Sequence, residues 1–410
     1  MKDLHEGRMY WQETLPHPRT YPPLRESSDA DAVVIGGGMS GAVVAYVLAS
    51  AGLRTALAER GGVAAGSSLA NTGLLQYCND IMLSELIGQI GERDAVRFYR
   101  ACAEAVQDLG AIASALPIDA EYRPASSLYC ASTDQDVPKL KREYETLSRF
   151  GFDVEYWEPE QIGARFPFRK PGAIVTHGDA QINPYRFVHA VVDEAAARFG
   201  LQVHEQTDVI AHETDDDGTH ILRTAAGPEL RAKHVVYAVG YEPEELRGRL
   251  IRSAMDRSSV IVTPPQRDLS PWYGRYMIWE TDRPYLYARL TDDGRVIAGG
   301  FDEPYGQPLA GRNARDRVSD KLSKRILELF PSFDARPDYE WNATFAQSRD
   351  NLPFIGEDPK WPRVYYCLGY GGNGTVYSMI GAGLLRALIL GRKHPLASIV
   401  GLDRPSLQPN

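Results

Sequence analysis

The chain has 410 residues, a formal charge of −9, and 43% hydrophobic and 24% charged residues. At roughly 150 residues per domain this is too long for one ordinary core, and the apolar content excludes a disordered or low-complexity chain. Acidic residues outnumber basic ones, 54 to 45, so the broad phosphate attraction that carries nucleic-acid binding is missing from the chain as a whole.

Residues 1–28 mix charges with Pro16, Pro18, Pro22 and Pro23 and contain no apolar run. They read as an extended arm over the surface rather than a secretory leader. No stretch of about 18 apolar residues suggests a transmembrane span. Cys78, Cys102, Cys130 and Cys367 are widely separated, without a CxxC pair. That fits neither a zinc site nor a disulfide framework, so no metal and a cytoplasmic setting are expected.

Asp31-Ala-Val-Val-Ile-Gly36 reads as a buried strand, and Gly36-x-Gly38-x-x-Gly41 opens a helix with Val44, Val47, Leu48 and Ala51 at helical spacing, stopped by Gly52. Residues 54–59 read as a second strand ending at Glu59. Together they make a mononucleotide-binding half. The glycines permit a tight turn and close approach of a pyrophosphate, the helix start offers unpaired N–H groups, and the carboxylate accepts bonds from ribose hydroxyls. Glu59 would repel a 2′-phosphate. NAD and FAD both satisfy this pattern. The loop from Gly62 to Gln76, rich in small and hydroxyl residues including Ser67 and Ser68, is longer than an NAD half requires and suits a larger ligand.

Helices are expected over 82–116, broken at Gly91, and over 134–150, with short strands at 127–131 and 152–157. Asn183 caps a helix with Pro184 in its first turn and Gly200 beyond its end. Residues 201–238 read as strand-rich. Residues 251–340 alternate apolar and polar positions, with a hairpin joining 285–289 to 295–299 around Asp292–Gly294, and read as a mostly antiparallel sheet. The chain closes with a strand over 364–368, a glycine loop Gly369–Gly374 and a helix over 376–390. That loop either aims a second helix start at a ligand or simply packs its helix. No HxH, HExxH or GxSxG pattern occurs, so neither metal catalysis nor a serine nucleophile is indicated.

The segments DAVVIGGGMSG with Glu59, GSSLANTGLLQ, GDAQINP, HVVYAVG, DNLPFIGEDP and YCLGYGGNG together resemble the D-amino-acid oxidase superfamily of FAD enzymes. The nearest likeness is to its glycine oxidase, sarcosine oxidase and γ-glutamylputrescine oxidoreductase branch. The resemblance implies an α/β (α+β) chain: a Rossmann-like FAD-binding domain from residues 29–85, 160–250 and 341–405, and a mostly antiparallel-sheet substrate domain from 86–159 and 251–340. It assigns FAD contacts to Gly36, Gly38, Met39, Ser40, Gly41, Glu59, Arg60, Ser67, Ser68, Asn71, Thr72, Gly73, Leu74, Val209, Gly240, Gly371, Gly372, Asn373, Gly374 and Thr375.

It also implies oxidation of a C–N bond in an amine or amino acid, with oxygen or another acceptor and a homo- or hetero-oligomer left open. Some relatives attach FAD through a His in the loop matching Ser67 to Leu74, or a Cys before the segment matching Leu352 to Gly356. Here Ala70 and Ala343 stand there, so the FAD is expected to be non-covalent. Candidate substrate contacts are Tyr287, Arg289, Phe345, Gln347 and Tyr370, with Tyr285 on the same strand face as Tyr287. Glycine oxidase-like members place a carboxylate-binding arginine where Phe345 stands, so a simple α-amino acid is not the evident substrate unless Arg289, Arg349 or another arginine substitutes. The alternatives are an NAD-dependent dehydrogenase and an FAD-binding subunit of a larger oxidoreductase.

Overall fold

The computed structural model describes residues 4–241, 254–282, 285–304 and 312–407. Strand β2 (Ser28–Ile35) lies between β3 (Thr55–Ala58) and β11 (Glu229–Tyr237), and β8 (Gln202–His204) and β18 (Val364–Leu368) extend the same parallel set. Parallel strands covered on both faces must be apolar throughout, and β3 and β18 are buried at every position. An antiparallel strand β17 (Phe354–Glu357) and the pair β9 (Val209–Thr214) and β10 (His220–Thr224) complete an eight-stranded sheet. Helix α2 (Met39–Ser50) packs against α7 (Pro184–Phe199) and α9 (Gly374–Ile389) beside this sheet. The local signals hold. The Asn183 side chain accepts from Arg186 N at 3.1 Å, and Gly91, at φ +84°, separates α3 (Leu83–Ile90) from α4 (Glu92–Ala115).

The second sheet has ten strands. Its path is β1 (His5–Arg8), β16 (Tyr339–Gln347), β12 (Ala254–Val262), β15 (Val296–Pro304), β14 (Leu286–Leu290), β13 (Met277–Glu280), β5 (Arg123–Cys130), β7 (Ala173–Gln181) and β4 (Leu74–Leu75), with β6 (Val154–Trp157) also on β7. All pairs are antiparallel except β13 with β5. The expected hairpin is β14–β15, one residue later at its start than expected, with Leu290 opposite Val296.

Two expectations need adjustment. The N-terminal arm is not merely laid over the surface: residues 5–8 pair with β16 as the edge strand of the large sheet, and Trp11 is fully buried. By hydrogen bonding, β7 and β16 also belong to the large sheet, although the segments 160–250 and 341–405 were expected with the nucleotide half. We propose the division into a cofactor half on the eight-stranded sheet and a substrate half on the ten-stranded one. The boundary expected at 250/251 lies outside the described residues.

Candidate active site

The turn after β2 is shaped by close backbone contact. Gly36 has φ +104° and faces Ala238 O, while a Cβ on Gly41 would overlap Gly36 O, so α2 starts tight against the strand it follows. Gly38 caps α2 without a side-chain acceptor. The helix start therefore directs its amides and positive dipole end outward, and Met39 N donates to Ser68 Oγ at 2.7 Å. Glu59 accepts from Gly37 N at 2.6 Å and Gly61 N at 2.7 Å. Burial raises its pKa, opposed by those two amides and the Arg60 charge.

Above this turn runs a cavity of about 430 Å³ lined by Gly36, Gly38, Met39, Ser40, Glu59, Arg60, Ser67, Ser68, Asn71, Val209, Gly240, Gly374 and Thr375. Each was named from the sequence. Leu4, Thr207, Asp208, Tyr241 and Ser378 line it too and were not. Gly41 and Gly73 do not line it; each is buttressed by backbone, Gly41 by Gly36 O and Gly73 by Ile182 O. The chemistry suits FAD: a carboxylate, helix-start amides with hydroxyls beside them, and glycine backbone at the inner end.

A second, inner cavity of about 170 Å³ adjoins the first and shares Ser67, Asn71, Tyr241 and Gly374 with it. Thr72, Leu74, Gly371, Gly372 and Asn373 line it, as do Tyr285, Tyr287 and Phe345 from the substrate half. The two glycine-containing loops are tied together. Asn71 Nδ2 donates to Thr375 Oγ1 at 3.1 Å, and Asn373 Nδ2 donates to Gln76 O at 2.7 Å and Asn79 Oδ1 at 2.8 Å. The Asn373 carboxamide thus braces the loop rather than reaching for a ligand. Gly372 N donates to Asp80 Oδ2 at 2.8 Å. A larger hollow of about 790 Å³ beside α2, α4 and α9 contains none of the candidate residues.

Three substrate candidates lie elsewhere. Arg289 follows Tyr287 on the same face of β14, but its guanidinium donates to Thr72 O at 2.7 Å, Ile182 O at 2.9 Å and Leu290 O at 3.3 Å. Burial pushes its pKa down to about 10, so it remains a cation bracing the Thr72 loop from beneath. Tyr370 is 1% exposed and packs its ring on Phe354 and Tyr241. Gln347 shares the face of Phe345 on β16 without lining the cavity. Arg349 is exposed and also lines neither cavity.

The inner cavity adds Gln76, Cys78, Asn79, Asp80, Ser258, Trp279 and Asp302 to the expected set. Asp80 was within reach of the reading, because it lies four positions past Gln76, where the loop was taken to end. Trp279 and Asp302 carry no local signal, since alternation along a strand says which residues share a face and not what that face meets.

The FAD dependent oxidoreductase family model, DAO, matches residues 31–388. The γ-glutamylputrescine oxidoreductase of Escherichia coli (strain K12) is 26% identical over 401 residues, covering 90% of this chain and 86% of that protein. The glycine oxidase of Bacillus subtilis (strain 168) is 24% identical over 382 residues, covering 88% of this chain and 94% of that one. Among solved structures, glycine oxidase from Geobacillus kaustophilus superposes with a TM-score of 0.77 at 21% identity, over 92% of this chain and 99% of that chain. With its motif residues gathered on one cleft and a family match over most of its length, the chain belongs to the DAO family of FAD-dependent oxidoreductases.

Proposed function

We propose that this flavoenzyme oxidises the C–N bond of a primary or secondary amine or amino acid, with FAD held non-covalently. The observation that carries this reading is that the nucleotide cleft shares Asn71 and Gly374 with an adjoining cavity lined by Trp279, Tyr285, Tyr287 and Phe345. Bound FAD would supply the hydride acceptor at N5, after which the imine product hydrolyses in water.

The chain's own part is positioning and proton management. Tyr287 is pushed up to about 12 by burial and by the Asp302 carboxylate, so its hydroxyl stays protonated and donates. Asp80 and Asp302 are the carboxylates that line this cavity, and the neutral amine is the form that is oxidised. Burial holds the Cys78 pKa well above its ordinary value, which keeps it a thiol.

All four cysteines are free, in keeping with a cytoplasmic setting. Among the described residues, no helix is long and apolar enough to cross a membrane.

The test is an anaerobic visible spectrum of the FAD-loaded protein with a panel of amines and amino acids. Bleaching of the oxidised flavin band by one of them is expected. A stable band with every compound would instead favour an FAD-binding subunit without amine chemistry.

A further inference from the structure

Granting that the inner cavity is the substrate site, a buried chain of hydrogen bonds behind its wall decides which polar atom Gln76 offers there. The chain begins at a bulge. Ser127 on β5 pairs with Thr176 on β7, while Ala125 pairs with Asp179, so β7 uses one residue more than β5 over the same stretch. Gly178, at φ +88°, lies within that stretch. Regular alternation would put positions 176 and 179 on opposite faces; the bulge brings both side chains to one place.

The buried Asp179 carboxylate accepts at Oδ2 from Ser127 Oγ at 2.6 Å and Thr176 Oγ1 at 2.5 Å, and at Oδ1 from Tyr77 N at 3.0 Å. Burial pushes its pKa up to about 6, opposed by those three bonds. An ionised carboxylate only accepts, so the single Ser127 proton is committed to it and the Ser127 lone pairs await another donor. That donor is Gln76 Nε2, at 3.0 Å. Gln76 lines the inner cavity, and its backbone is held as well, its carbonyl accepting from Asn373 Nδ2 and the preceding Leu74 and Leu75 pairing with β7. With its nitrogen turned to Ser127, the carboxamide has its oxygen left as the acceptor for a ligand.

We propose that Gln76 is a substrate contact whose carboxamide oxygen accepts the N–H of the reacting amine, and that Asp179 is the positioning residue that fixes this polarity through Ser127. This deepens the amine-oxidation reading and rests on it for the identity of the ligand. An amine held by its N–H keeps its nitrogen lone pair free for the imine bond. Asp179→Asn should invert the arrangement. The new carboxamide oxygen must still meet Tyr77 N, a fixed backbone donor, which places its nitrogen on Ser127 and Thr176; Ser127 then turns its own proton to Gln76, whose carboxamide flips and offers nitrogen to the cavity.

The experiment titrates FAD-loaded protein with pyrrole and with furan, flat neutral rings of similar size that carry an N–H donor and a ring oxygen respectively, and follows the flavin spectrum. Pyrrole should bind at least about fivefold more tightly than furan in the parent protein. Asp179→Asn, Ser127→Ala and Gln76→Leu should each remove most of that preference. In the Gln76→Leu background Asp179→Asn should change the ratio no further, which a general loosening of the site would not satisfy. Retained flavin absorbance shows that each variant has folded. A smaller preference in the parent protein, no response to either ring, an unchanged ratio in both Asp179→Asn and Ser127→Ala, or a further shift on top of Gln76→Leu would overturn the proposal.

The amine panel separates the two readings. Bleaching by an amine without a preference for pyrrole leaves amine oxidation standing and defeats the assignment of Gln76. The pyrrole preference without bleaching by any amine supports Gln76 as an N–H acceptor and defeats the oxidation.

Discussion

Tyr287 lies across Gly299, its partner on the neighbouring strand, so closely that a β-carbon on Gly299 would collide with the tyrosine ring and hydroxyl. The absence of a side chain at Gly299 is therefore what lets this cavity wall lie flat. Gly299→Ala should tilt the ring away from the strand and into the cavity. The expected result is a kcat/KM for the preferred amine lowered by roughly tenfold or more, with FAD content unchanged, because a misplacement of about 1 Å near the reacting groups is that costly. Unchanged kinetics would mean that Tyr287 does not shape the site.

The buried Trp11 ties the N-terminal segment to the cofactor loop, donating from Nε1 to Asn71 O at 2.7 Å, with the Arg289 guanidinium 5.4 Å from its ring. Trp11→Ala should cost about 3–5 kcal/mol, the usual range for removing a buried large aromatic, and should weaken FAD binding by loosening Asn71. Trp11→Phe keeps most of the packing and loses the donor, for about 1 kcal/mol. Urea unfolding and flavin fluorescence titration read the two effects separately. Equal FAD affinity in all three proteins would show that the tie does not reach the cofactor.

Non-covalent FAD has a direct check. The segment from Ser67 to Leu74 holds neither His nor Cys, and the thiol that lines the inner cavity, Cys78, is kept protonated by burial; the thiolate is the reactive form. Acid precipitation should release yellow colour into the supernatant. Colour retained in the pellet, and lost from it in Cys78→Ser, would reveal a thioether that this reading denies.

Stability should depend on pH through His189, which is 4% exposed with neither ring nitrogen hydrogen-bonded. Burial pushes its pKa down to about 4. The unfolded imidazole titrates near 6.5, so between roughly pH 6.5 and 4 the unfolded chain binds more protons than the folded one. Its contribution is complete above that window and is lost as pH falls through it, for a total of about 3 kcal/mol. His234, also pushed down to about 4 by burial, acts in the same direction. Chemical denaturation at pH 7 and pH 5 should show a smaller drop for His189→Gln than for the parent chain; identical drops would rule His189 out.

The nucleotide half was legible because its signals are local. Gly36, Gly38, Gly41 and Glu59 sit within one β-α-β unit, where turn chemistry and periodicity dictate both shape and contact. The C-terminal loop from Gly369 to Gly374 was legible for the same reason. The inner cavity was not, because its walls come from strands paired across long sequence separations. Tyr287 and Arg289 share a face of β14, yet one lines the cavity and the other underpins Thr72. Tyr370 sits among the loop glycines and still turns into the core. The strand at His5–Arg8 escaped notice because its partner is β16, almost the whole chain away, and a charged four-residue edge strand has no pattern of its own.

The cofactor cleft draws on Leu4 at one extreme of the sequence and Ser378 at the other, with Val209 between them. A polypeptide still lacking its last long helix lacks the part of the wall that Gly374, Thr375 and Ser378 supply. With FAD seated in this cleft, tight capture should wait until that helix has emerged and packed, so that the cofactor joins a nearly completed fold rather than templating its first β-α-β unit.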